Sequence, residues 1–388
     1  MLVFRYDSQP YLTTLLFPSS IENFRARRLF GVVPVSSTTL REKLDAHLSR
    51  FVLGRSAWDL RRKTVALLSK TGVDKAFFEA PLVSLPPGAE DYLQPSNPRL
   101  LELRQEYTTF GGPVAAHYQW AKKKISWDIP LSSFRGDCAF VYQRRENTPA
   151  NFVLSAYHIL ASGNAWLLDK LDEDGLFGAQ VVPVNGDLKV SRDRIDSVLE
   201  IAYLDKLLNL SDRTEKTILD IGAGYGRLGH RLTQAFPNVR VLCTDAVPES
   251  TFICEYYLKF RCASPRSRAV PLHELSAALE QNRVDIAVNI HSFSECTSGA
   301  IKWWLDILRK HTVRFLLIVP NALGNGGTQL LSREPGETFH NFLGLVEASG
   351  YERVAIDPKY DNPELQRYGG VSPTCYHLFR FRNQFAPA

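Results

Sequence analysis

A glycine-rich turn between a predicted strand and a predicted helix limits the possible folds of this chain more than any other stretch. It lies within residues 217–227, whose sequence is Thr-Ile-Leu-Asp-Ile-Gly-Ala-Gly-Tyr-Gly-Arg. The apolar residues at its start predict a short buried strand, and the glycines predict a tight turn into a helix. The alternating Gly222, Gly224 and Gly226 let the backbone bend sharply and lie directly against a ligand.

An acid directly before the turn indicates which kind of ligand it holds. Asp220 comes two residues before the first glycine. A carboxylate there can hold a cationic amino group, whereas it would repel the pyrophosphate of a dinucleotide. The dinucleotide fingerprint G-x-G-x-x-G also requires a third glycine where Arg227 stands. The pattern D-x-G-x-G-x-G instead resembles the first motif of class I S-adenosylmethionine-dependent methyltransferases.

A second predicted strand that ends in an acid follows this turn. Residues 227–236 have helical spacing, Pro237 ends that helix, and residues 238–245 predict a strand whose last residue is Asp245. Asp245 follows Asp220 by about 25 residues, close to the spacing of a ribose-binding acid in a βαβ unit. Its carboxylate can accept hydrogen bonds from both ribose hydroxyls. This pair of acids is the strongest functional signal in the chain.

The alternation of strands and helices from residue 186 to residue 388 predicts an α/β domain. We expect a doubly wound, mostly parallel, Rossmann-like sheet of seven strands. The strands after the first are predicted at 238–245, 268–272, 284–290, 314–320, 352–357 and 375–382. The last strand follows a loop instead of a helix, so an antiparallel edge strand is predicted there. A helix is predicted at 338–349, and long loops at 321–336 and 360–373.

Residues 1–185 predict a mainly helical N-terminal cap that shapes the substrate site. The predicted helices begin at Ser36 and cover residues 57–70, 100–107 and 113–124, with a surface loop at 85–98 and a further helix favoured at 151–162. A β-hairpin or lid is predicted within residues 163–190. We place the domain boundary between residues 185 and 186.

Composition excludes several classes of protein. With 45% hydrophobic and 22% charged residues and a net charge of +5, the chain is typical of soluble globular proteins. It has no basic run with interleaved aromatic residues, so no nucleic-acid partner is predicted. No apolar run approaches the roughly 20 residues that span a bilayer. The N-terminus lacks the features of a secretory signal, and the six cysteines include no C-x-x-C pair. We therefore predict a cytoplasmic protein with no membrane partner; its oligomeric state stays open.

Ligands of such sheets bind beyond the carboxyl ends of the strands, where the strand order reverses. Leu272, after the third strand, is expected to pack on adenine, with a backbone group near the exocyclic amine. Asn289 and Ile290, at the end of the fourth strand, are expected near the methionine part of the cofactor. The predicted cofactor-binding residues are Asp220, Gly222, Ala223, Gly224, Tyr225, Gly226, Asp245, Ala246, Leu272, Asn289 and Ile290.

His291 and Glu295 follow the fourth strand and are the candidates nearest a transferring methyl group. Methyl transfer from a sulfonium is an in-line displacement, for which orientation can supply roughly 7–11 kcal/mol. A neutral hydroxyl is a poor nucleophile, so a general base adds about 10²–10⁴-fold. His291 is the first candidate for that base. Glu295 can orient the imidazole, act as the base itself or cap the following helix.

Three stretches resemble the bacterial sugar O-methyltransferase family of class I enzymes. They are residues 219–232 (Leu-Asp-Ile-Gly-Ala-Gly-Tyr-Gly-Arg-Leu-Gly-His-Arg-Leu), 243–258 (Cys-Thr-Asp-Ala-Val-Pro-Glu-Ser-Thr-Phe-Ile-Cys-Glu-Tyr-Tyr-Leu) and 291–295 (His-Ser-Phe-Ser-Glu). Residues 191–198 also look like that family's lead-in to the fold. The resemblance implies a methyltransferase fold with S-adenosyl-L-methionine as cofactor, and the family name implies a sugar acceptor. Some sugar methyltransferases use a divalent metal, but no acid pair adjoins Asn289 and His291, so no metal is predicted.

The sequence therefore predicts an S-adenosylmethionine-dependent O-methyltransferase that acts on a hydroxyl of a sugar or glycoside. Three alternatives stay open: a methyltransferase for a non-sugar small molecule, a nicotinamide-dependent oxidoreductase and a cofactor-binding scaffold without catalysis. Arg227 and Asp220 both argue against the oxidoreductase.

Overall fold

A computed structural model describes residues 84–112, 114, 131–136, 149–185, 188–336 and 338–382. The helices predicted from Ser36 and at 57–70 lie outside these residues, and so does the helix predicted at 113–124 apart from Val114. The fold is therefore reported for the described ranges.

A seven-stranded sheet confirms the predicted fold class. Its strands are β3 (Lys216–Ile221), β4 (Val239–Thr244), β5 (Ser267–Ala269), β6 (Ile286–Ile290), β7 (Phe315–Val319), β10 (Tyr351–Pro358) and β11 (Cys375–Phe381). Their order is β10-β11-β7-β6-β3-β4-β5. The strands from β7 through β5 pair in parallel, and β11 pairs antiparallel with both β7 and β10. The chain moves outward from β3 to β5 and then returns to β6, so the strand order reverses between β3 and β6.

One prediction about this sheet is wrong. The last strand is antiparallel as expected, but it lies between β7 and β10 and is not the edge strand. Its first five residues are buried, which suits an interior position, whereas most of β10 is exposed. A strand without a crossover helix can therefore enter the sheet interior when its residues are apolar on both faces.

Helices cover both faces of the sheet. In chain order they are α1 (Ala89–Tyr92), α2 (Pro98–Phe110), α3 (Pro149–Ala161), α4 (Ala165–Lys170), α5 (Arg192–Leu208), α6 (Arg227–Ala235), α7 (Pro248–Phe260), α8 (Leu275–Gln281), α9 (Ser298–Lys310) and α10 (Leu343–Ala348). Alternate strand residues point to opposite faces. Ile218 accordingly belongs to one apolar core and Leu219 to the other. None of the helices in the described ranges is long and apolar enough to cross a membrane.

The described segments before residue 186 share the two cores of the sheet. Leu103 and Tyr107 of α2 lie in the core that contains Leu219, and Phe152 of α3 lies in the core that contains Ile218. The expected hairpin within residues 163–190 is present as β1 (Val182–Asn185) and β2 (Leu188–Val190), which pair antiparallel. The domain boundary at residue 185 and the role of the cap in substrate binding stay predictions.

Further segments differ from the sequence prediction, and one of them is the loop predicted at 321–336, which contains β8 (Leu331–Arg333). The segment predicted as a helix at 338–349 begins as strand β9 (Phe339–Asn341), which pairs with β8 (Leu331–Arg333), and only α10 is helical. The side-chain oxygen of Asn341 accepts a hydrogen bond from the backbone N–H of Leu343, which starts the turn between strand and helix. The loop at 85–98 contains α1, and the loop at 360–373 contains a helical turn at Leu365–Gly369.

Candidate functional site

An open cleft lies beyond the carboxyl ends of β3, β4 and β6, at the point where the strand order reverses. Ten of the predicted site residues line it: Asp220, Gly222, Ala223, Gly224, Tyr225, Asp245, Ala246, Ile290, His291 and Glu295. Gly226, Leu272 and Asn289 do not line it. The cleft is thus where the rule for doubly wound sheets places a ligand.

The glycine turn forms the floor of this cleft. Gly222, Gly224 and Gly226 all have positive φ angles, of 72°, 56° and 83°, which residues with a side chain rarely adopt. A Cβ at Gly222 would lie 2.2 Å from the Oγ of Ser292, so that position requires glycine for space as well. A Cβ at Gly224 would have no described atom within 4 Å. Gly226 lies beneath the turn, where a Cβ would meet the Sγ of Cys254 at 2.8 Å, which explains why it does not line the cleft.

Two carboxylates stand at the tips of neighbouring strands. Asp220 is only 3% exposed, and burial raises its pKa to about 7, although the Arg227 guanidinium opposes this effect. Asp245 accepts hydrogen bonds from the backbone N–H groups of Val247 and Gly224, each at 2.9 Å. Burial also raises the pKa of Asp245 to about 7, against the effect of these two donors. Both carboxylates would gain from a ligand that brings positive charge or hydrogen-bond donors.

Asn289 fixes the end of β6 through the hydrogen bonds of its side chain. It is fully buried, and its Nδ2 donates to the backbone carbonyl of Ile221 at 3.0 Å and to the Oγ of Ser292 at 2.5 Å. Its Oδ1 accepts from the backbone N–H of Phe293 at 3.0 Å. Asn289 therefore holds the two strand ends together and has no face toward the cleft.

His291 directly follows β6, and its imidazole is held in the neutral form. Its φ is +66°, and both of its ring nitrogens are buried without a hydrogen-bond partner among the described residues. Burial lowers the pKa of His291 to about 3, and the charges of Arg192 and Lys359 add to that effect. An unpartnered buried imidazole is costly, so its two nitrogens are candidates for ligand contact.

A network of ion pairs adjoins His291, and the sequence analysis did not predict it as part of the site. The Nζ of Lys359 lies 2.6 Å from the Oδ1 of Asp196, whose Oδ2 lies 3.3 Å from the Nε of Arg192. Arg227 pairs with Glu200 at 2.7 Å. Arg192 and Asp196 belong to the first turns of α5 and both line the cleft. One feature of the sequence could have indicated these residues: the N-cap serine of α5, whose side chain fixes the residue at which this helix begins.

Glu295 lies toward the end of the cleft that contains Asp245. It is 9% exposed and lines the cleft, as do Cys296, Val247, Ser250 and Trp304. Its negative charge contributes to the raised pKa values of Asp245 and of the Cys296 thiol. The charges that act on His291 come instead from Arg192, Lys359, Asp196 and Arg227. His291 and Glu295 are therefore influenced by different sets of charged groups.

Leu272 is buried in the apolar core and does not line the cleft, and its expected contact with a nucleobase stays a prediction. Its backbone N–H donates to the hydroxyl of Tyr107 at 3.0 Å. The same hydroxyl lies 3.0 Å from the backbone carbonyl of Asp245 and 2.7 Å from the Oγ1 of Thr251. Tyr107 comes from α2, so a segment far upstream in the chain connects the residues after β4 and after β5.

Comparison with known proteins gives the following result. No protein-family model matches the chain, and no curated protein matches it. Similar solved structures include magnesium protoporphyrin IX methyltransferase from Synechocystis with bound S-adenosylmethionine (12% identity, 51% of this chain and 87% of that chain, TM-score 0.34). They also include precorrin-6y C5,15-methyltransferase from Geobacter metallireducens (15%, 45% and 87%, TM-score 0.30). The pyocyanin biosynthetic protein PhzM is a third (16%, 48% and 56%, TM-score 0.34). At these scores the similarity adds nothing to the argument from the site.

A metal centre was not predicted for this chain. Within the described ranges, no group of three or more histidine, cysteine, aspartate or glutamate residues is placed to hold a metal ion.

Proposed function

We propose that this protein is an S-adenosylmethionine-dependent O-methyltransferase. The observation that carries the proposal is the buried Asp220 carboxylate, whose pKa is about 7, beside a turn of positive-φ glycines and opposite Asp245. A buried acid with so high a pKa binds a cation favourably, because the cation replaces the lost hydration of its charged form. The amino group of S-adenosylmethionine supplies that cation, and its ribose hydroxyls suit the carboxylate of Asp245.

His291 is proposed as the general base. When bound, the cofactor supplies an electrophilic methyl group on a sulfonium. His291 takes the proton of the acceptor hydroxyl as the positive charge of the sulfonium is lost, so the net charge of the cleft is unchanged by the transfer. Burial lowers the pKa of His291 to about 3, so the imidazole is unprotonated at neutral pH, but the same low pKa makes it a weaker proton acceptor than an ordinary histidine.

The acceptor is proposed to be a hydroxyl compound, with a sugar or glycoside as the first candidate. Arg192, Asp196 and Asn321 line the same cleft as His291, and their donors and acceptors suit a ligand with several hydroxyl groups. The sugar itself rests on the resemblance of residues 219–232, 243–258 and 291–295 to sugar O-methyltransferases. The small-molecule acceptor and a cytoplasmic location are parts of the same proposal.

Calorimetric titration with S-adenosylhomocysteine and with NAD tests the cofactor. We expect heat of binding with the first and none with the second; heat with NAD alone would contradict the proposal. Mass spectrometry after incubation with labelled S-adenosylmethionine and a panel of glycosides tests the activity, and we expect a mass gain of one methyl group. The cofactor-binding scaffold predicts binding without any methylated product.

The base is tested separately with His291→Ala. We expect turnover to fall by about 10²–10⁴-fold with the affinity for S-adenosylhomocysteine retained. His311→Ala is the matched control, since that residue follows α9 and does not line the cleft. Near-normal turnover of His291→Ala would show that another group accepts the proton.

A further inference from the structure

Tyr107 of α2 does not line the cleft, but it contacts the backbone of a residue that does. Its hydroxyl donates to the backbone carbonyl of Asp245 at 3.0 Å, and the backbone N–H of Leu272 donates to this hydroxyl at 3.0 Å. The Oγ1 of Thr251 lies 2.7 Å away. Because the hydroxyl has one proton and a carbonyl only accepts, the proton of Tyr107 points to Asp245 and Thr251 is the donor. The hydroxyl therefore uses its one donor and both of its acceptor positions.

This hydroxyl fixes the orientation of the peptide that follows Asp245. The C=O of Asp245 and the N–H of Ala246 point in opposite directions, because a trans peptide is planar. A carbonyl held by Tyr107 turns the Ala246 N–H the other way, where it helps to lower the pKa of Asp245 against the larger effect of burial. The N–H groups of Gly224 and Val247 donate to the same carboxylate, each at 2.9 Å. The orientation of the carboxylate thus depends on a peptide that Tyr107 holds.

Helix α2 is itself fixed on α7, the helix that follows β4. The guanidinium of Arg99 donates to both carboxylate oxygens of Glu255, at 3.0 and 2.7 Å, and Arg104 pairs with Glu249 at 2.9 Å. Tyr107 is 7% exposed, and burial raises the pKa of its phenol, so the hydroxyl keeps its proton at neutral pH. The donor is therefore held in a fixed place and in one protonation state.

We infer that Tyr107 is a positioning residue of the cofactor site, which holds the Asp245 carboxylate in the orientation that meets the ribose hydroxyls. This inference rests on the proposed function, because it presupposes that Asp245 binds the ribose. Without the hydroxyl, the Asp245 carbonyl loses its partner, and a rotation of the peptide that finds another one carries the Ala246 N–H away from the carboxylate. The loss therefore affects the ribose contact specifically.

The test measures by calorimetry how much the ribose hydroxyls contribute to binding, with S-adenosylhomocysteine and its 2′,3′-dideoxy analogue. The wild-type protein is expected to bind the first compound about 10–100-fold more tightly. Tyr107→Phe is expected to reduce this ratio by about 3–10-fold, because the analogue offers Asp245 no hydroxyl and has no ribose contact to lose. A residue that only stabilised the fold would weaken both compounds by the same factor and leave the ratio unchanged.

Tyr351→Phe is the matched control. Tyr351 is 1% exposed, and its hydroxyl donates to the backbone carbonyl of Val313 at 2.8 Å. Val313 precedes β7, at the amino end of the parallel strands, whereas the cleft lies beyond their carboxyl ends. This variant loses the same kind of buried hydrogen bond away from the cofactor site, so it is expected to keep the wild-type ratio.

Hydrogen exchange of the wild-type protein gives a measurement that needs no variant, because coupling between two contacts is reciprocal. If the Tyr107 contact strengthens ribose binding, ribose binding stabilises the Tyr107 contact. At equal saturation, S-adenosylhomocysteine should therefore slow amide exchange in residues 103–110 of α2 more than the dideoxy analogue does, although none of these residues lines the cleft.

The outcomes distinguish this inference from the proposed function. If the wild-type protein binds neither compound, the proposed function is wrong and the inference falls with it. If the wild-type protein binds S-adenosylhomocysteine but Tyr107→Phe keeps its ratio, or if that ratio is already one, the inference is wrong while the cofactor stands. Should Tyr107→Phe not fold, equal exchange in residues 103–110 with the two compounds would overturn the inference.

Discussion

Asp220 is held in surroundings that disfavour its charge. Its folded-state pKa of about 7 exceeds the value of 3.8 for an ordinary aspartate, chiefly through burial. Between about pH 4 and pH 7 the unfolded state has already lost this proton, whereas the folded state still binds it. The free energy of unfolding therefore falls as the pH rises through this range. The residue that best suits a cationic ligand is therefore also a source of instability in the ligand-free protein.

Asp220→Asn is accordingly expected to stabilise the ligand-free protein at pH 8. The gain in the free energy of unfolding is up to about 4 kcal/mol, from a pKa difference of about 3 units. The same variant is expected to lose most of its affinity for S-adenosylhomocysteine. Urea denaturation at pH 8 and pH 5 measures the first effect, which should shrink at the lower pH. Asp91→Asn, at an exposed position of α1, is the control that should change neither quantity.

The pH dependence of cofactor binding follows from the same carboxylates. Asp220 and Asp245 both have pKa values of about 7, so the free protein is partly protonated at neutral pH. A cation bound to the ionised form displaces these protons, so affinity should fall as the pH drops below 7. His291, with a pKa of about 3, should not contribute in this range. Calorimetry in buffers of different ionisation enthalpy should show proton release at pH 6 that decreases as the pH rises to 8; binding that is independent of pH would contradict the expectation.

At the scale of elements, helix α6, which follows the glycine turn, packs very close to the sheet. A Cβ added at Gly229 of α6 would lie 2.5 Å from the Sγ of Cys243 and 2.6 Å from the Oγ of Ser267. Both atoms belong to β4 and β5 beneath the helix. The helix would have to move away from the strands that carry Asp220 and Asp245.

Gly229→Ala is expected to destabilise the protein by about 1–3 kcal/mol, because overpacking outweighs the better helix propensity of alanine. Gly344→Ala in α10 is the matched control, since a Cβ there would have no described atom within 4 Å. It is expected to leave the stability unchanged or to raise it by up to about 1 kcal/mol. Thermal unfolding of both variants measures the difference. Equal effects would mean that α6 can shift without cost.

Local sequence patterns predicted helices and strands well where short-range interactions alone determine the structure. The strand, glycine turn and helix from Lys216 to Ala235 were predicted within a residue or two, because buried apolar runs and positive-φ glycines act over short distances. The helix predicted at 338–349 was half wrong, because the pairing of β9 with β8 overrides local helical spacing. The interior position of β11 depends on its partners on both sides, which its own sequence does not specify. Arg192 lines the cleft and Tyr107 contacts the backbone of Asp245, although both residues are distant in the chain from the strands that form the cleft.

At the scale of the whole molecule, a buried ionic cluster joins the upstream segments to the glycine turn. Arg135 is fully buried and lies 2.7 Å from Glu173 and 2.8 Å from Asp193. The hydroxyl of Tyr225, in the glycine turn, donates to the same carboxylate of Asp193 at 2.7 Å. The guanidinium therefore neutralises acids from the loop before β1 and from the first turn of α5. The geometry of the turn consequently depends on a residue almost 90 positions upstream.

Arg135→Met is expected to lower the free energy of unfolding by about 3–5 kcal/mol, because it leaves Glu173 and Asp193 buried without their main cation. It should also weaken binding of S-adenosylhomocysteine, since Asp193 positions Tyr225. Adding Asp193→Asn to Arg135→Met should recover part of the stability by removing one uncompensated charge, but it should not restore binding. Arg380→Met is the control: Arg380 pairs with Glu352 on the exposed surface, so its removal should cost no more than about 1 kcal/mol. Urea denaturation and calorimetry on the wild type and these three variants separate the effects, and a stable Arg135→Met protein with normal affinity would show that the cluster does not support the turn.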